Sequence, residues 1–362
     1  MKPFSPLYFI RENRQKCILL IFMIMLGYVI YLGGLYVTNP YDNWRVPVAY
    51  YDRVTKVNPA SDDGDLSQFK AFREEIEADG RVLVLEMGSD NGFNWKTVMG
   101  FETGRYSATF RSVEDFRLFC EYMGIECDFD NLKNGSLVMS EMFAKNRGLE
   151  LGDIVDSDFD ASVHAPYTLD AVTDEEGYIL HFISEEPPDV PELMLLGNGI
   201  DGEELYDIVY EIQKRHKVSV YDVLKHRLDS QFRTFDMIYL FIVLLLSVIL
   251  AVTINAVFMG IYQRRNFEIA IYRAIGISKY RIVGKLAGEL LWMDVIALGA
   301  GGVLFFPGLY LANNCLLYPS GLYLRYFHPM ALCGLAVCNI LVFIPLVLGR
   351  CRQMWKADIC EY

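Results

Sequence analysis

The chain has 362 residues, of which 53% are hydrophobic and 22% are charged, and its formal net charge is −13. Its apolar content and its mean hydropathy of +0.22 exceed those of an ordinary soluble domain. Because this excess is concentrated in a few charge-poor runs, the composition argues against a soluble protein and predicts membrane spans.

Four apolar runs are long enough to cross a bilayer, given a helical rise of about 1.5 Å per residue. They lie at 17–37, 237–261, 290–311 and 330–349. The first run occupies the position of a signal peptide, but it is long and no Ala-x-Ala-like cleavage site follows it. We therefore predict an uncleaved anchor there.

Basic residues flank these runs on one side, which predicts cytoplasmic N- and C-termini and a multi-pass protein of the cell membrane. The basic residues concerned are Lys2, Arg11, Arg14, Lys16, Arg264, Arg265, Arg273, Lys279, Arg281, Lys285, Arg350, Arg352 and Lys356. The predicted fold class is an α-helical membrane protein with four transmembrane helices and an α/β extracytoplasmic domain between spans 1 and 2. The predicted boundaries are a cytoplasmic segment at 1–16, transmembrane helices at 17–37, 236–262, 286–313 and 329–350, an external domain with a stalk helix at 38–235, a cytoplasmic coupling segment at 263–285, an external loop at 314–328 and a cytoplasmic tail at 351–362.

The predicted external domain is strongly acidic, with 39 Asp and Glu against 19 Lys and Arg in residues 38–235. The net charge of the whole chain hides this asymmetry, because the remaining residues are mostly basic. Solubility is the simpler interpretation of the acidic surface, and attraction of cationic ligands is the alternative. No nucleic-acid partner is expected.

Short helices and strands alternate along this domain. Helices are predicted at 66–78, with Asp65 as N-cap, and at 113–123, where Gly124 ends the helix. Strands are predicted at 46–51, 81–87, 106–112 and 136–140, the last followed by a short helix at 141–146. Residues 167–172 and 178–183 indicate a hairpin, and 202–233 indicate a helical stalk that continues into the second span.

Two features allow both a functional and a structural interpretation. Phe93 and Trp95 lie in a Gly- and Asn-containing loop, where they could form a contact site or, as we favour, pack back onto the domain. Residues 197–202 fit the Gly-x-Gly-x-x-Gly pattern, with Asp222 about twenty residues later. Because this motif leads into a membrane span rather than a parallel strand, we favour a flexible turn over a dinucleotide site.

Catalytic and metal-binding motifs are missing from the sequence. It contains no phosphate loop, no His-Glu-x-x-His and no Gly-x-Ser-x-Gly. The chain is therefore expected to be non-enzymatic, with no cofactor of its own. Glu289 and Asp294 border the third predicted span, where a carboxylate needs protein or water around it. Cys120 and Cys127, the two cysteines of the external domain, could form a disulfide in an oxidising compartment.

Residues 263–289 join two predicted spans and combine six basic residues with apolar ones. A basic, partly apolar helix in this place either lies in lipid headgroups or is presented to a groove of a soluble partner.

Within this stretch, 268–276 reads Glu-Ile-Ala-Ile-Tyr-Arg-Ala-Ile-Gly, and Glu289 precedes a Gly-rich span. This pattern resembles the FtsX-like ABC transporter permeases, although Ala270 and Tyr272 replace the usual Gly and Leu. The external residues 137–144, followed by Gly152 and Asp153, resemble the MacB-like branch of that family. The order of one span, an external domain and three further spans is also similar.

The resemblance implies a permease dimer, formed with a second copy or a paralogue, that works with separate ABC ATPase subunits holding ATP and magnesium. It implies that 267–278 form a coupling helix seated in the ATPase, with Arg273 and Glu268 as polar contacts and Ile269, Ile275 and Ile277 as the buried face. The ATPase-coupling residues implied are Phe267, Glu268, Ile269, Arg273, Ala274, Ile275, Gly276 and Ile277.

The leading hypothesis is an export or extraction permease for peptides, lipids or antibiotics, in which ATP-driven motion reaches the external domain. The alternative is a regulator that uses the same motion to act on an external partner protein, such as a cell-wall hydrolase or a sensor. A stand-alone adhesin is disfavoured, because it would need no helix for docking an ATPase.

Overall fold

The computed structural model describes residues 14–51, 54–60, 66–103, 107–221, 224–263 and 266–356. These residues form two compact units. A helical unit comprises the described parts of Met1–Thr38, Arg233–Ala312 and Leu324–Tyr362, and an α/β unit comprises those of Asn39–Phe232 and Asn313–Tyr323. Several predictions fall outside the described residues: the segment 1–13 with Lys2 and Arg11, the end of the tail at 357–362, Asp65, Asp222, Arg264 and Arg265.

The helices and strands follow one another in a mixed order. The helices are α1 (Arg14–Met25), α2 (Gly27–Tyr51), α3 (Ser67–Glu77), α4 (Val113–Met123), α5 (Glu141–Arg147), α6 (Gly202–Gln213), α7 (Leu224–Gln263), α8 (Asn266–Ala274), α9 (Lys279–Ala312) and α10 (Pro329–Lys356). The strands are β1 (Val54–Pro59), β2 (Val82–Glu86), β3 (Trp95–Lys96), β4 (Glu102–Thr103), β5 (Ser107–Phe110), β6 (Ser136–Ser140), β7 (Ile154–Val155), β8 (Tyr167–Thr173), β9 (Leu180–Ile183), β10 (Leu193–Gly197) and β11 (Val218–Tyr221).

The α/β unit contains a four-stranded antiparallel sheet in the order β11-β1-β10-β2. Helices α3 and α6 pack on it through buried apolar residues at helical spacing, among them Phe69, Phe72, Leu205 and Val209. Strand β11 interrupts the region predicted as one stalk helix, so that prediction is wrong for 214–221. The helix that leads into the second apolar run begins at Leu224.

A mixed five-stranded sheet in the order β5-β9-β6-β8-β7 forms the second layer of this unit. Strand β6 lies between β8 and β9, parallel to the first and antiparallel to the second. The predicted hairpin of 167–172 with 178–183 is therefore wrong, since its two strands never pair directly. A separate two-stranded ribbon pairs β3 with β4.

Phe93 and Trp95 of the 88–103 loop pack inward, as we favoured. Phe93 is 1% exposed and Trp95 is 3% exposed. The Trp95 ring stacks on Tyr178, with centroids 4.3 Å apart. Burial of such rings contributes to the core rather than to an exposed contact site.

The helical unit is built around a cluster of buried apolar side chains from α1, α2, α7, α8, α9 and α10. Among the described residues, two segments are long and apolar enough to cross a membrane, Met237–Ala256 and Lys279–Ser320. The apolar stretch Pro329–Leu341 is shorter, and the first predicted span is divided between α1 and α2. The four-span arrangement therefore stays a prediction.

The first apolar run continues much further as helix than the sequence predicts. Helix α2 extends to Tyr51 through Pro40 and Pro47, so the strand predicted at 46–51 is wrong. The first strand is β1, three residues after the helix ends.

Candidate functional site

The candidate site is the pair formed by the short helix α8 and the start of the long helix α9, and Gly276 makes the turn between them. Gly276 has φ of +84°, in the left-handed region that favours glycine. Its N–H donates to the carbonyl of Arg273, and the N–H of Ile277 donates to the carbonyl of Tyr272, both at 3.0 Å. These two bonds form a Schellman motif, which ends α8 and fixes the direction of the following chain.

A network of three polar side chains connects α8 to α9. Nζ of Lys285 lies 3.3 Å from Oε1 of Glu268 and 2.8 Å from Oη of Tyr272. The Tyr272 hydroxyl also donates to Oε1 of Glu268 at 2.7 Å, and burial raises its pKa. The Lys285 side chain is 3% exposed, so its charge is stabilised mainly by these protein groups.

The apolar side chains of α8 divide between two faces. Ile269 is 7% exposed within the core of the helical unit, and Ile277 packs against the same cluster. Ile271 in α8 is 45% exposed, and Ile275, which directly follows the helix four residues later, is 68% exposed. Tyr280 at the start of α9 is 73% exposed.

The structure changes which of the implied apolar residues we expect a partner to contact. Ile269 is buried in the core of its own unit, and Ile277 is partly buried against the same core. Ile275 remains available. Ile271 was not predicted as a site residue, although its spacing of four residues from Ile275 was a usable signal. Tyr280 was not predicted either, and it lies beyond the turn at Gly276, where helical spacing gives no signal.

The polar residues predicted for this helix take different positions. Glu268 belongs to the network with Lys285, whereas Arg273 lies in the last turn of α8 and is half-buried. Ala274 is exposed. The Phe267 side chain lies outside the described residues. In the sequence, Lys285 is one of six basic residues between the two predicted spans, and its structural role was not predicted.

The two carboxylates at the predicted third span both lie on α9, five residues apart. Glu289 is fully buried in the helical unit, and Asp294 is half-buried. A separation of five residues places them on different faces of the helix. The prediction that each needs a protein or water environment stays open for Asp294.

Cys120 and Cys127 both belong to the α/β unit, and both are free thiols in this structure. Cys120 is buried in the core between the two sheets, and Cys127 packs against the same cluster. Their disulfide stays a prediction. Within the described ranges, no group of three His, Cys, Asp or Glu side chains is arranged to hold a metal ion.

The Gly-rich motif at 197–202 forms the turn from β10 into α6. Asp201 is the N-cap of α6, and its carboxylate accepts the N–H of Glu204 at 2.8 Å. This side chain therefore uses the helix N-terminus that a dinucleotide phosphate would need. The local structure supports the interpretation as a turn.

Comparison with known proteins identifies one family over part of the chain. Residues 239–349 match the family model of the FtsX-like permease C-terminal domain. A search of curated proteins finds no match. Over residues 239–349, which include the candidate site, the chain is therefore similar to a membrane component of transporters, a class that is generally not catalytic itself and works with ABC ATPases.

A solved structure with detectable similarity is a domain of a protein from Porphyromonas gingivalis that is described as a permease. It is 15% identical, and the match covers 47% of this chain and 90% of that chain, with a TM-score of 0.27.

Proposed function

We propose that this chain is the permease subunit of an ABC transporter of the MacB-like type, acting with a second permease copy or a paralogue. A separate ATPase would seat on α8 and use ATP-driven motion to move the membrane helices and the α/β unit. The proposed outcome is export or extraction of peptides, lipids or antibiotics. The family match over 239–349 supports the general class.

The observation that carries the docking proposal is the exposure of apolar side chains on a short, braced helix. Ile271, Ile275 and Tyr280 are all at least 45% exposed. Arg281, next to Tyr280 in the sequence, is also exposed and adds a positive charge at the start of α9. Exposed apolar side chains combined with a positive charge suit a groove of a protein partner.

The polar network explains how such a helix could transmit motion. A load on α8 would pass into α9 through the Lys285–Glu268 pair and the turn at Gly276. A helix attached only through flexible segments would move by itself and would not pass the motion on to α9. The braced geometry therefore favours a coupling helix over one that only rests in lipid headgroups.

The test is co-purification of the ATPase with the full chain from its native membrane, with identification of a phosphate-loop protein and its ATP hydrolysis. Ile275→Glu places a charge in the proposed contact and is expected to lower recovery at least about tenfold. Arg273→Glu, which reverses the charge at the end of α8, is also expected to lower recovery.

Ile154→Glu is the matched control, because Ile154 is 64% exposed in the α/β unit and should leave recovery unchanged. Equal recovery from all variants would remove the docking proposal. If the ATPase binds but deletion of the chain abolishes an external hydrolase activity rather than export, the regulator alternative replaces transport.

A further inference from the structure

The segment between α9 and α10 is folded onto the α/β unit. Residues 313–317 form a π-helical turn and 318–320 a 3-10 turn, and Gly321 follows with φ of +62°. The structure groups Asn313–Tyr323, called the docked loop below, with the α/β unit. From the sequence, residues 314–328 were predicted only as an external loop.

The carbonyl oxygen of Gly321 is the centre of this contact. It accepts one hydrogen bond from Oη of Tyr178 at 2.7 Å and another from Nδ2 of Asn146 at 3.2 Å. Tyr178 is 1% exposed and Asn146 is 5% exposed. Two donors therefore satisfy both lone pairs of one buried carbonyl.

Both donors are held in place by other contacts of the α/β unit. The Asn146 side chain exchanges two hydrogen bonds with the backbone of Lys96, its Oδ1 accepting at 2.7 Å and its Nδ2 donating at 2.9 Å. The Tyr178 ring stacks on Trp95. The receptor for the loop carbonyl is thus preorganised, which lowers the entropy cost of docking.

Further contacts hold the rest of the loop. Lys145 places Nζ 4.1 Å from the ring centroid of Tyr318, and the Tyr318 hydroxyl lies 3.3 Å from Oε2 of Glu141. At the end of the loop, Nδ2 of Asn39 donates to the carbonyl of Tyr323 at 2.6 Å. Asn39 lies on α2, so the loop contacts both α5 and the helix that precedes β1.

The fit at Gly321 is too close for any other residue. A Cβ at this position would overlap the backbone of Asn146, and the positive φ disfavours an L side chain. Glycine is therefore required here for two independent reasons.

We propose that the docked loop is a second mechanical connection, through which displacement of α9 reaches the α/β unit in addition to the path through α2 and α7. This inference rests on the proposed function for the source of the motion, but the docking itself does not. The loop is held by hydrogen bonds to a preorganised receptor, so it moves with α5 and Tyr178 rather than as a free connection.

Hydrogen exchange on the purified full chain tests the docking. Tyr178→Phe keeps the ring stack and removes one donor, and is expected to raise exchange in 313–323 about tenfold. Gly321→Ala is expected to raise it further. Tyr167→Phe is the first control, because Tyr167 is also a buried tyrosine and its hydroxyl contacts Asn91 at 3.1 Å, away from the loop. Gly124→Ala is the second, since Gly124 has φ of +73° with no atom within 4 Å of an added Cβ.

Both controls should leave exchange in the loop within about twofold of the native chain. Unchanged exchange in Tyr178→Phe and Gly321→Ala would overturn the proposal. In the co-purified ATPase complex, addition of ATP should alter exchange in the α/β unit, and Gly321→Ala should reduce that change at least about twofold. If Gly321→Ala releases the loop but ATP still alters exchange in the α/β unit as much as in the native chain, the loop does not transmit the motion of α9. Failure to recover any ATPase would overturn the proposed function, and the docking would then be tested by the exchange rates of the loop alone.

Discussion

Lys285 and Glu268 form a contact between α8 and α9 in which one partner is far more buried than the other. The lysine side chain is 3% exposed and the glutamate side chain is 38% exposed. If one partner is removed, water can therefore solvate a remaining Glu268 carboxylate more readily than a remaining Lys285 ammonium.

This asymmetry predicts unequal effects of two substitutions. Lys285→Met should raise amide exchange in 270–275 about tenfold. Glu268→Gln should raise it more, because it removes a negative charge beside the buried Lys285 ammonium. Exchange mass spectrometry of the full chain measures both. Lys214→Met, which breaks the exposed pair with Glu211, is the control and should change exchange near it little. A larger effect for Lys285→Met would contradict the argument.

The turn at Gly276 gives a prediction about backbone conformation. Gly276→Ala should destabilise the end of α8 by about 1–2 kcal/mol, because its φ is +84°. Gly284 lies inside α9 and an added Cβ there meets no atom within 4 Å. Gly284→Ala should instead stabilise the helix by about 0.5–1 kcal/mol. Exchange rates at 272–277 and 284–288 report the two effects, and a common sign would disprove the conformational explanation.

The thiols of the α/β unit give a pH-dependent prediction. Burial raises the pKa of Cys127 to about 11 from its usual value near 9, and it also raises the pKa of Cys120. At pH 8 the thiolate fraction of Cys127 should be about a hundredfold below that of an ordinary thiol. Iodoacetamide labelling of Cys127 in the native chain should therefore be slow and should accelerate up to about pH 11, as measured on the peptide that contains it.

The same thiols affect stability in alkaline solution. Between about pH 9 and pH 11 the unfolded chain loses these protons while the folded chain keeps them, so the free energy of unfolding should fall as pH rises. Labelling in denaturant without reductant distinguishes the redox states. Because the chain has eight cysteines, the labels must be assigned to individual residues. Modification of both Cys120 and Cys127 corresponds to the free thiols of this structure, and modification of neither would indicate the predicted disulfide.

The Gly-rich turn before α6 yields a stability prediction. Asp201→Ala removes the N-cap and should destabilise the α/β unit by about 1 kcal/mol, measured by the protection of 204–209 against exchange. Asp189→Ala, an acidic-to-alanine change at a residue with no cap role in α6, is the control. Binding of a dinucleotide by the native chain, measured by calorimetry, would contradict the assignment of residues 197–202 as a turn.

Elements defined by strong local signals were predictable from the sequence. Helix α4 has the predicted bounds of 113–123, since Ser112 accepts the N–H of Asp115 and Gly124 adopts a left-handed conformation. Strand β6 also has its predicted bounds at 136–140. The bounds of both elements depend on residues that are close in the sequence, so the sequence alone can predict them.

Pairings between distant segments were not predictable in the same way. Nothing in the turn at 174–177 reveals that β6 enters between β8 and β9, because strand order depends on packing of the whole sheet. At the candidate site, the sequence located α8 but not which isoleucines face the core. Which side of α8 is buried depends on its packing against α9, where the side chains of Ile282 and Lys285 are buried.

The pairing of β1 with β11 has a consequence for biogenesis. Lys56 pairs with Tyr221, so a strand from the beginning of the α/β unit needs a partner synthesised about 165 residues later. A ribosome must translate through this late strand before the four-stranded sheet can be completed. Nascent chains that are shorter should therefore keep an open edge at β1 and depend on chaperones, and protection from protease should appear abruptly once translation has passed residue 221.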